Sequence, residues 1–383
     1  MEWLTPADET AAAEVVRWAA ARREGLEIRG HGTKAAIGSP VQAAFGLSLA
    51  GLSGITAYDP AELVLTAAAG TPLAEIRAAL SAAGQHLPFE PPDLSALLGT
   101  PEEGTLGGLV SAGLSGARRP FAGACRDHVL GVRGIGGGGE PFRAGGQVVK
   151  NVTGFDLSKL LCGAWGTLAV LTEISLKVLP APETQATLLL DGLDDTRALS
   201  LLGQALRSPA DVSGAAHVSG GETALRLEGP PESVRWRGQG LRDLLGLPVR
   251  LLDDAASRDW WQRWQRLEPL AAGPDFPVWK LSLVPTQAVA VAGLLRQADP
   301  SLRAVYDWGG GLLWVALSPT VEAARIRQAV PPGGGHATLI RAPLAVRAAG
   351  GVFAPEAPAV AALSRRLKDS FDPAGIFNPG RMA

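Results

Sequence analysis

The sequence predicts an α+β fold built in two main parts, and three observations carry that reading. The chain has 383 residues, more than one ordinary hydrophobic core encloses. In residues 1–180, short strand-like runs alternate with glycine-rich loops and amphipathic helices. From Thr184 onward, an order of strand, helix, strand, strand, helix, strand occurs twice. Two such ferredoxin-like β-α-β-β-α-β halves can join into one sheet with helices on one face, leaving the other face to cover something.

The N-terminal stretch Met1–Gly25 reads as an amphipathic helix capped by Thr5 with Pro6 in its first position. It lacks a basic segment leading into an apolar core, so it does not read as an export signal. "LEIRGHGTKAAIG" (26–38) is a strand running into a tight loop. "ELVLTAAAGTPLAEIRAALSAAG" (62–84) is a strand and then a helix that starts at Thr71-Pro72, carries Leu73, Ile76 and Leu80 on one side, and closes at Gly84. "GIGGGGE" (134–140) satisfies a GxGxxG search, but a strand follows it rather than a helix, so a hairpin turn replaces the dinucleotide reading. "TLAVLTEISLKVLP" (167–180) alternates at period two and ends at Pro180, which sets the first boundary: 1–180, then 181–345, then 346–383.

In the second part, helices are expected about Asp194–Arg207 and Pro231–Leu245, between the strands of the first half. "SRDWWQRWQRLEPL" (257–270) connects the halves. Its Trp260, Trp261, Trp264 and Leu267 fall at helical spacing, which favours core over an aromatic docking stripe. The last segment, "APAVAALSRRLKDSFDPAGIFNPGRM", breaks the β-α-β-β pattern and is expected to return to the first part.

Composition removes several function classes. Charged residues make up 19% with a formal charge of −2, which leaves no electrostatic footprint for nucleic acid or anionic lipid. The apolar runs are all shorter than the roughly 20 residues that span a bilayer. Two cysteines, Cys125 and Cys162, cannot assemble an iron–sulfur or zinc site, so no metal is expected on this chain. Without an export signal the chain is expected in the cytoplasm, and Asn151-Val152-Thr153 reads as interior polar chemistry rather than a glycosylated sequon.

Two glycine-rich loops carry the chemistry. "RGHGTK", Arg29–Lys34, leaves a strand with small residues that let backbone N–H groups converge on an anion. Alone it is also an ordinary strand-end turn. A second run, Gly104–Gly131, adds further glycines with Arg118, Arg119 and Arg126. The pair suits a diphosphate and an extended cofactor better than it suits packing.

These motifs, together with "LPFEPP", "GGQVVKNVTGFDLSKLLCGAWGTLAVLTEISLKVLP", "GGHATLIRAP" and "DPAGIFNPGRM", occur in an order that resembles the E-type FAD-binding subunits of glycolate oxidase. Those subunits belong to the vanillyl-alcohol oxidase and p-cresol methylhydroxylase (PCMH-type) flavoproteins. The resemblance implies a two-lobed FAD-binding domain, a cap domain over the flavin and a returning C-terminal segment. By position, it implies that Arg29, Gly30, His31, Gly32, Thr33 and Lys34 form the pyrophosphate loop. Pro88, Thr105, Gly107, Gly108, Ser111, Gly113 and Gly116 would form the second lining, followed by Arg126 and Asp127. Gly166, Thr167 and Val170 would meet the dinucleotide and flavin edge, and Asn378 would lie near the ring. Thr33 stands where covalently flavinylated relatives carry histidine, so non-covalent FAD is expected. His31 either bonds a phosphate oxygen or faces solvent. Lys150 and Asn151 either donate to the cofactor or a bound carboxylate, or Asn151 ties down a turn.

Oxidation of a 2-hydroxy acid needs a cation on the carboxylate and a base at the hydroxyl. His336 and Arg341 are the cap candidates, with Lys150. Residues five apart on a regular strand face opposite ways, so both reach one site only if a bulge breaks the alternation. The His-x-Gly-Asp-Gly-Asn motif of several D-2-hydroxy-acid-oxidising relatives is absent. The resemblance implies a complex with a paralogous FAD subunit and an iron–sulfur subunit, at the inner face of the membrane through those partners. Three roles stay open: a subunit of a glycolate- or D-lactate-type dehydrogenase complex, a self-sufficient FAD oxidase or dehydrogenase, and an assembly subunit without substrate chemistry.

Overall fold

A computed structural model describes residues 1–146, 156–271, 273, 275–349 and 351–382. The first part runs β1 (Glu2–Leu4), α1 (Glu9–Arg22), β2 (Leu26–Arg29), β3 (Phe45–Ser48), β4 (Ile55–Asp59), β5 (Val64–Ala68), α2 (Leu73–Ala82), β6 (Gln85–His86), α3 (Ser95–Leu98), α4 (Leu106–Ala112), α5 (Arg119–Ala122), α6 (Cys125–His128), β7 (Val129–Ile135), β8 (Pro141–Gly145), α7 (Leu157–Leu161), β9 (Val170–Lys177) and β10 (Leu179–Pro180). β1, β3 and β2 form a small parallel sheet, and β4-β5-β9-β7-β8 an antiparallel one. These are two lobes. The predicted start of the first helix is corrected: Asp8, not Thr5, caps α1 by accepting from the Ala11 N–H at 2.8 Å. The residues before it pair with β3 as a strand, which removes Thr5-Pro6 from the helix. The 134–140 motif is the β7–β8 hairpin turn.

The second part runs β11 (Thr184–Leu190), α8 (Asp195–Leu206), β12 (Gly214–Val218), β13 (Thr223–Gly229), α9 (Pro231–Leu245), β14 (Arg250–Leu252), α10 (Asp254–Gln265), α11 (Glu268–Ala271), β15 (Val278–Leu283), α12 (Ala288–Ala298), β16 (Arg303–Asp307), β17 (Leu312–Ala316), α13 (Ala323–Gln328) and β18 (Gly335–Arg341). Its strands make one sheet in the order β14-β11-β13-β12-β16-β17-β15-β18. That is two ferredoxin-like halves joined antiparallel through β12 and β16, where His217 pairs with Tyr306 and Val218 with Val305. Asp195 staples the seam, accepting from the Tyr306 hydroxyl at 2.8 Å and lying 3.2 Å from His217 Nε2.

Alternation assigns the two faces of this sheet. Trp279, Leu281 and Leu283 of β15 turn into a core with α12, and Leu188, Leu190, Leu225 and Leu227 of β11 and β13 into one with α8 and α9. The opposite face, with Trp308, Trp314 and Ile340, packs on Ile37, Leu94, Leu97 and Leu114 of the first part and on the α10 tryptophans. The tryptophans of α10 are therefore core.

A buried charge network crosses the same boundary. Glu90 receives both terminal nitrogens of Arg226 at 2.7 and 2.8 Å and Gln265 Nε2 at 3.0 Å. Arg118 bonds Glu228 and lies 3.7 Å from Glu90. Arg226 stacks over Trp261, 4.3 Å from the ring centroid. Burial favours the neutral form of Glu90, but the Arg226 charge and hydrogen bonds, with Arg118 behind them, hold its carboxyl at about 2.

The tail adds α14 (Leu344–Ala348) and α15 (Pro358–Phe371). It then runs beside β2: the Leu26 N–H donates to Ile376 O at 2.7 Å and the Asn378 N–H to Leu26 O at 3.0 Å. Gly137 in the β7–β8 turn lets the end of α15 come close, because a Cβ there would lie 2.6 Å from Asp372 Cα.

Candidate functional site

β2 delivers the loop 29–34 to the mouth of a cleft between the two lobes. Arg29, Gly30, His31, Gly32, Thr33, Lys34, Thr105, Gly107, Gly108, Ser111, Gly166 and Asn378 all line it. Ala69, Trp165 and Arg381 line it too. Small residues are required here by space. A Cβ on Gly30 would meet Thr105 Oγ1 at 2.2 Å, and one on Gly107 would meet Ala69 Cβ at 2.8 Å. Thr105 caps α4 through the Gly108 N–H at 3.4 Å. Among the described residues, the backbone N–H groups of residues 31–34 donate to no carbonyl or side chain. A run of unpaired amides with Arg29 and Lys34 beside it is a cradle for a diphosphate. Lys34 Nζ donates to Glu103 O at 2.9 Å, and burial lowers its pKa against the raising charges of Glu103 and Asp93.

Other expected positions behave differently. The His31 ring binds the Glu102 carboxylate. Asn378 spends its whole amide on the backbone: Oδ1 accepts from Ile28 N at 2.8 Å, and Nδ2 donates to Trp165 O at 2.9 Å. Pro88, Gly113, Gly116, Arg126, Asp127, Thr167 and Val170 stand outside the cleft lining. Gly113 and Gly116 serve close backbone crossings, since a Cβ would lie 2.9 Å from Gly163 Cα and 1.9 Å from Glu90 O respectively. Asp127 caps the Ala124 N–H at 2.8 Å, Arg126 reaches Asp127 at 3.8 Å, and Thr167 Oγ1 bonds Ala164 O at 2.7 Å. Val170 is fully buried core. Lys150 and Asn151 lie outside the described residues.

On the cap, β18 does carry a bulge, opposite Val278/Trp279. It does not bring His336 and Arg341 to one site. Arg341 is buried, and its guanidinium is consumed by the carbonyls of Leu97, Leu270, Ala271, Gly273 and Phe276, at 2.9–3.5 Å. It clamps α11 and the end of α3, which corrects the expectation of a free cation. His336 pairs with Ser282 at the open end of the sheet. Desolvation first, and then the charges of Lys280 and Arg119, lower its pKa, so the ring is neutral near pH 7.

Sequence reasoning named Arg119 only as part of the second glycine-rich run, and it missed Lys280. Lys280 projects from β15 on the face opposite Trp279 and Leu281, beside Thr338 and Trp314 in the ladder. Arg119 comes from α5 on the first part. Both lie over the Trp308 indole, Arg119 Cζ at 4.4 Å and Lys280 Nζ at 6.0 Å from its centroid. Trp308 is itself fixed by its Nε1–H to Gly116 O at 2.9 Å. Burial and then the Arg119 charge pull Lys280 down to about 8. A signal was available in "VWKLSLV", where a lysine and a serine alternate with core residues.

Comparison with known proteins agrees with this geometry. A family model described as "FAD binding domain" matches residues 3–145. The chain is 39% identical over 369 residues to glycolate oxidase subunit GlcE of Escherichia coli (strain K12), covering 96% of this chain and 95% of that protein. It is 33% identical over 162 residues to glycolate oxidase subunit GlcD of Bacillus subtilis (strain 168), covering 42% of this chain and 33% of that one. Among solved structures, an alkyldihydroxyacetonephosphate synthase shares the fold with a TM-score of 0.69 at 15% identity, over 98% of this chain and 75% of that one. FAD fits what the cleft offers: unpaired amides and cations for the diphosphate, and glycines where any side chain would collide. With a PCMH-type FAD cleft under a doubled ferredoxin-like cap, and near full-length similarity at this identity, the chain belongs to the family of the glycolate oxidase subunit GlcE.

Proposed function

We propose that this chain is the FAD-binding subunit of a glycolate oxidase-like complex and oxidises a glycolate- or D-lactate-type 2-hydroxy acid to the 2-oxo acid. The observation that carries the reading is the glycine cradle with its unpaired amides, in a first part that packs against one face of the cap sheet. Residues 1–180 hold the cofactor, 181–345 cap it, and 346–383 lock the first part through Asn378 and Arg381. Arg29–Lys34 take the diphosphate without a covalent link, since Thr33 offers no ring nitrogen. FAD supplies the acceptor for the hydride leaving the α-carbon. His336 takes the hydroxyl proton, so that the carbonyl forms as the C–H bond breaks.

Similarity to both GlcE and GlcD subunits supports a paralogous FAD subunit as partner, and an iron–sulfur subunit fits the two cysteines, which are too few for a cluster here. None of the described helices is long and apolar enough to cross a membrane, so a place at the inner face of the membrane would come through partners. Adding glycolate or D-lactate anaerobically to the FAD-loaded chain should bleach the flavin bands. His336→Gln should slow bleaching by about 10²–10⁴-fold at unchanged FAD content. Because the His336 pKa lies below its ordinary value, the wild-type rate should stay flat through pH 7 and fall only on the acid side of about 6.5. Flavin that stays bound and oxidised with both acids would assign the oxidation to the paralogous subunit.

A further inference from the structure

Among the described residues, the side chains of Arg119 and Lys280 form no hydrogen bond or ion pair, although one comes from each domain and they converge on one indole ring. Neighbouring cations are costly to hold together without an anion. The adjacent Arg118 shows the alternative in the same segment, since its charge is met by Glu228 and Glu90. Around Arg119 and Lys280 the charged neighbours are His336 on β18 and Arg126 and Asp127 on α6; Asp127 attracts Arg119 without reaching it. Lys280 is half-buried in the domain boundary, on the open face of the cap sheet. Trp308, tied to Gly116 O, fixes the surface against which both cations rest.

We propose that Arg119 and Lys280, set by the indole of Trp308, are the subsite that holds the carboxylate of the 2-hydroxy acid, and that the site is complete only when the two domains meet. This rests on the oxidation reading above for the identity of the acid, though not for the binding of a carboxylate. Arg119 offers a planar fork and Lys280 a point charge, so a small carboxylate is held by one residue from each domain. The arrangement leaves His336, two residues along the paired strand from Lys280, beside the hydroxyl of the same molecule. Lys280 and Arg119 are positioning residues for the acid, and His336 stays the base.

Oxalate is a suitable probe, because it carries the carboxylate and cannot be oxidised by hydride loss from an α-carbon. Titrated into the FAD-loaded full chain and followed by calorimetry and by the flavin difference spectrum, it should bind saturably. Lys280→Met and Arg119→Met should each weaken it about 10- to 100-fold, with unchanged FAD affinity and thermal midpoint. Lys280→Arg should retain most of the binding, which separates charge from shape. Wild-type FAD-loaded chain that ignores oxalate, or Met variants that bind it as tightly as wild type, would overturn the subsite. Oxalate binding that follows the charges while glycolate and D-lactate leave the flavin oxidised would keep the subsite and remove the oxidation reading.

Discussion

Arg118 and Arg119 are consecutive, and they enter two regions built on opposite electrostatic terms. Arg118 is 8% exposed and joins Glu90, Arg226 and Glu228 in a network where each charge meets an opposite one. Arg119 is exposed at the domain boundary and shares Trp308 with Lys280, with no carboxylate in contact among the described residues. The first region spends its charges on holding the cap to the FAD domain. The second keeps its charges available. A paired buried charge is a structural commitment, because removing one partner strands the other. An unpaired cation at a cleft is a vacancy in the electrostatics that a ligand can fill.

The largest effect should come from breaking the paired region. Glu90→Ala takes away the carboxylate that both terminal nitrogens of Arg226 bond, leaving only Glu228 at 3.7 Å, and should cost about 3–5 kcal/mol of stability in denaturant titrations, with two transitions if the cap releases before the FAD domain melts. Replacing both partners, Glu90→Leu with Arg226→Met, should recover most of that loss, because no charge is then stranded. If the double variant is no better than Glu90→Ala, the network acts through packing around Trp261 rather than through charge.

The next test sets the neighbours against each other. Arg118→Ala should lower stability by less than Glu90→Ala, since Arg226 still lies 3.7 Å from Glu228, and should leave oxalate affinity intact in the folded fraction. Arg119→Ala should do the reverse, with stability within about 0.5 kcal/mol of wild type, as for surface positions. Equal stability losses for the two would mean that Arg119 also holds the domains together.

The contrast explains what the sequence made legible. The doubled strand–helix order was readable because alternation and helical spacing are local properties, and the ladder from β11 to β18 follows from them. The 29–34 loop and Thr105 were readable because glycine beside threonine is a local cost that needs a reason. Arg341 was misjudged because its role depends on carbonyls at 97, 270, 271, 273 and 276, which no stretch around it contains. Lys280 was overlooked for the complementary reason: alternation in "VWKLSLV" marks it as lying opposite the core residues, but that it meets no hydrogen-bond or ion-pair partner among the described residues is visible only in the fold. Arg118 and Arg119 look alike in the chain, and only the fold sends one guanidinium to Glu228 and the other to Trp308.

The smallest effect concerns pH, and it sharpens the comparison from within the core. Asp307, bonded by Trp264 Nε1 at 3.0 Å and by the Trp308 N–H at 2.7 Å, is pushed up to about 6 by burial. Glu90 is held at about 2. A carboxyl raised in the folded state binds its proton more tightly there than in the unfolded chain. Its contribution is therefore present in full below about 3.8 and lost as pH rises through about 6. A depressed carboxyl works the other way: the Glu90 contribution is present above about 4.5 and lost as pH falls toward about 2. Stability should therefore rise modestly on acidification from pH 7 to about 5, then fall below about 4.5. Asp307→Asn should flatten the first limb and leave the second, while Glu90→Gln should weaken the second and leave the first. A profile that falls steadily from pH 7 would mean that burial does not raise the Asp307 carboxyl and that it keeps its charge through the acid range.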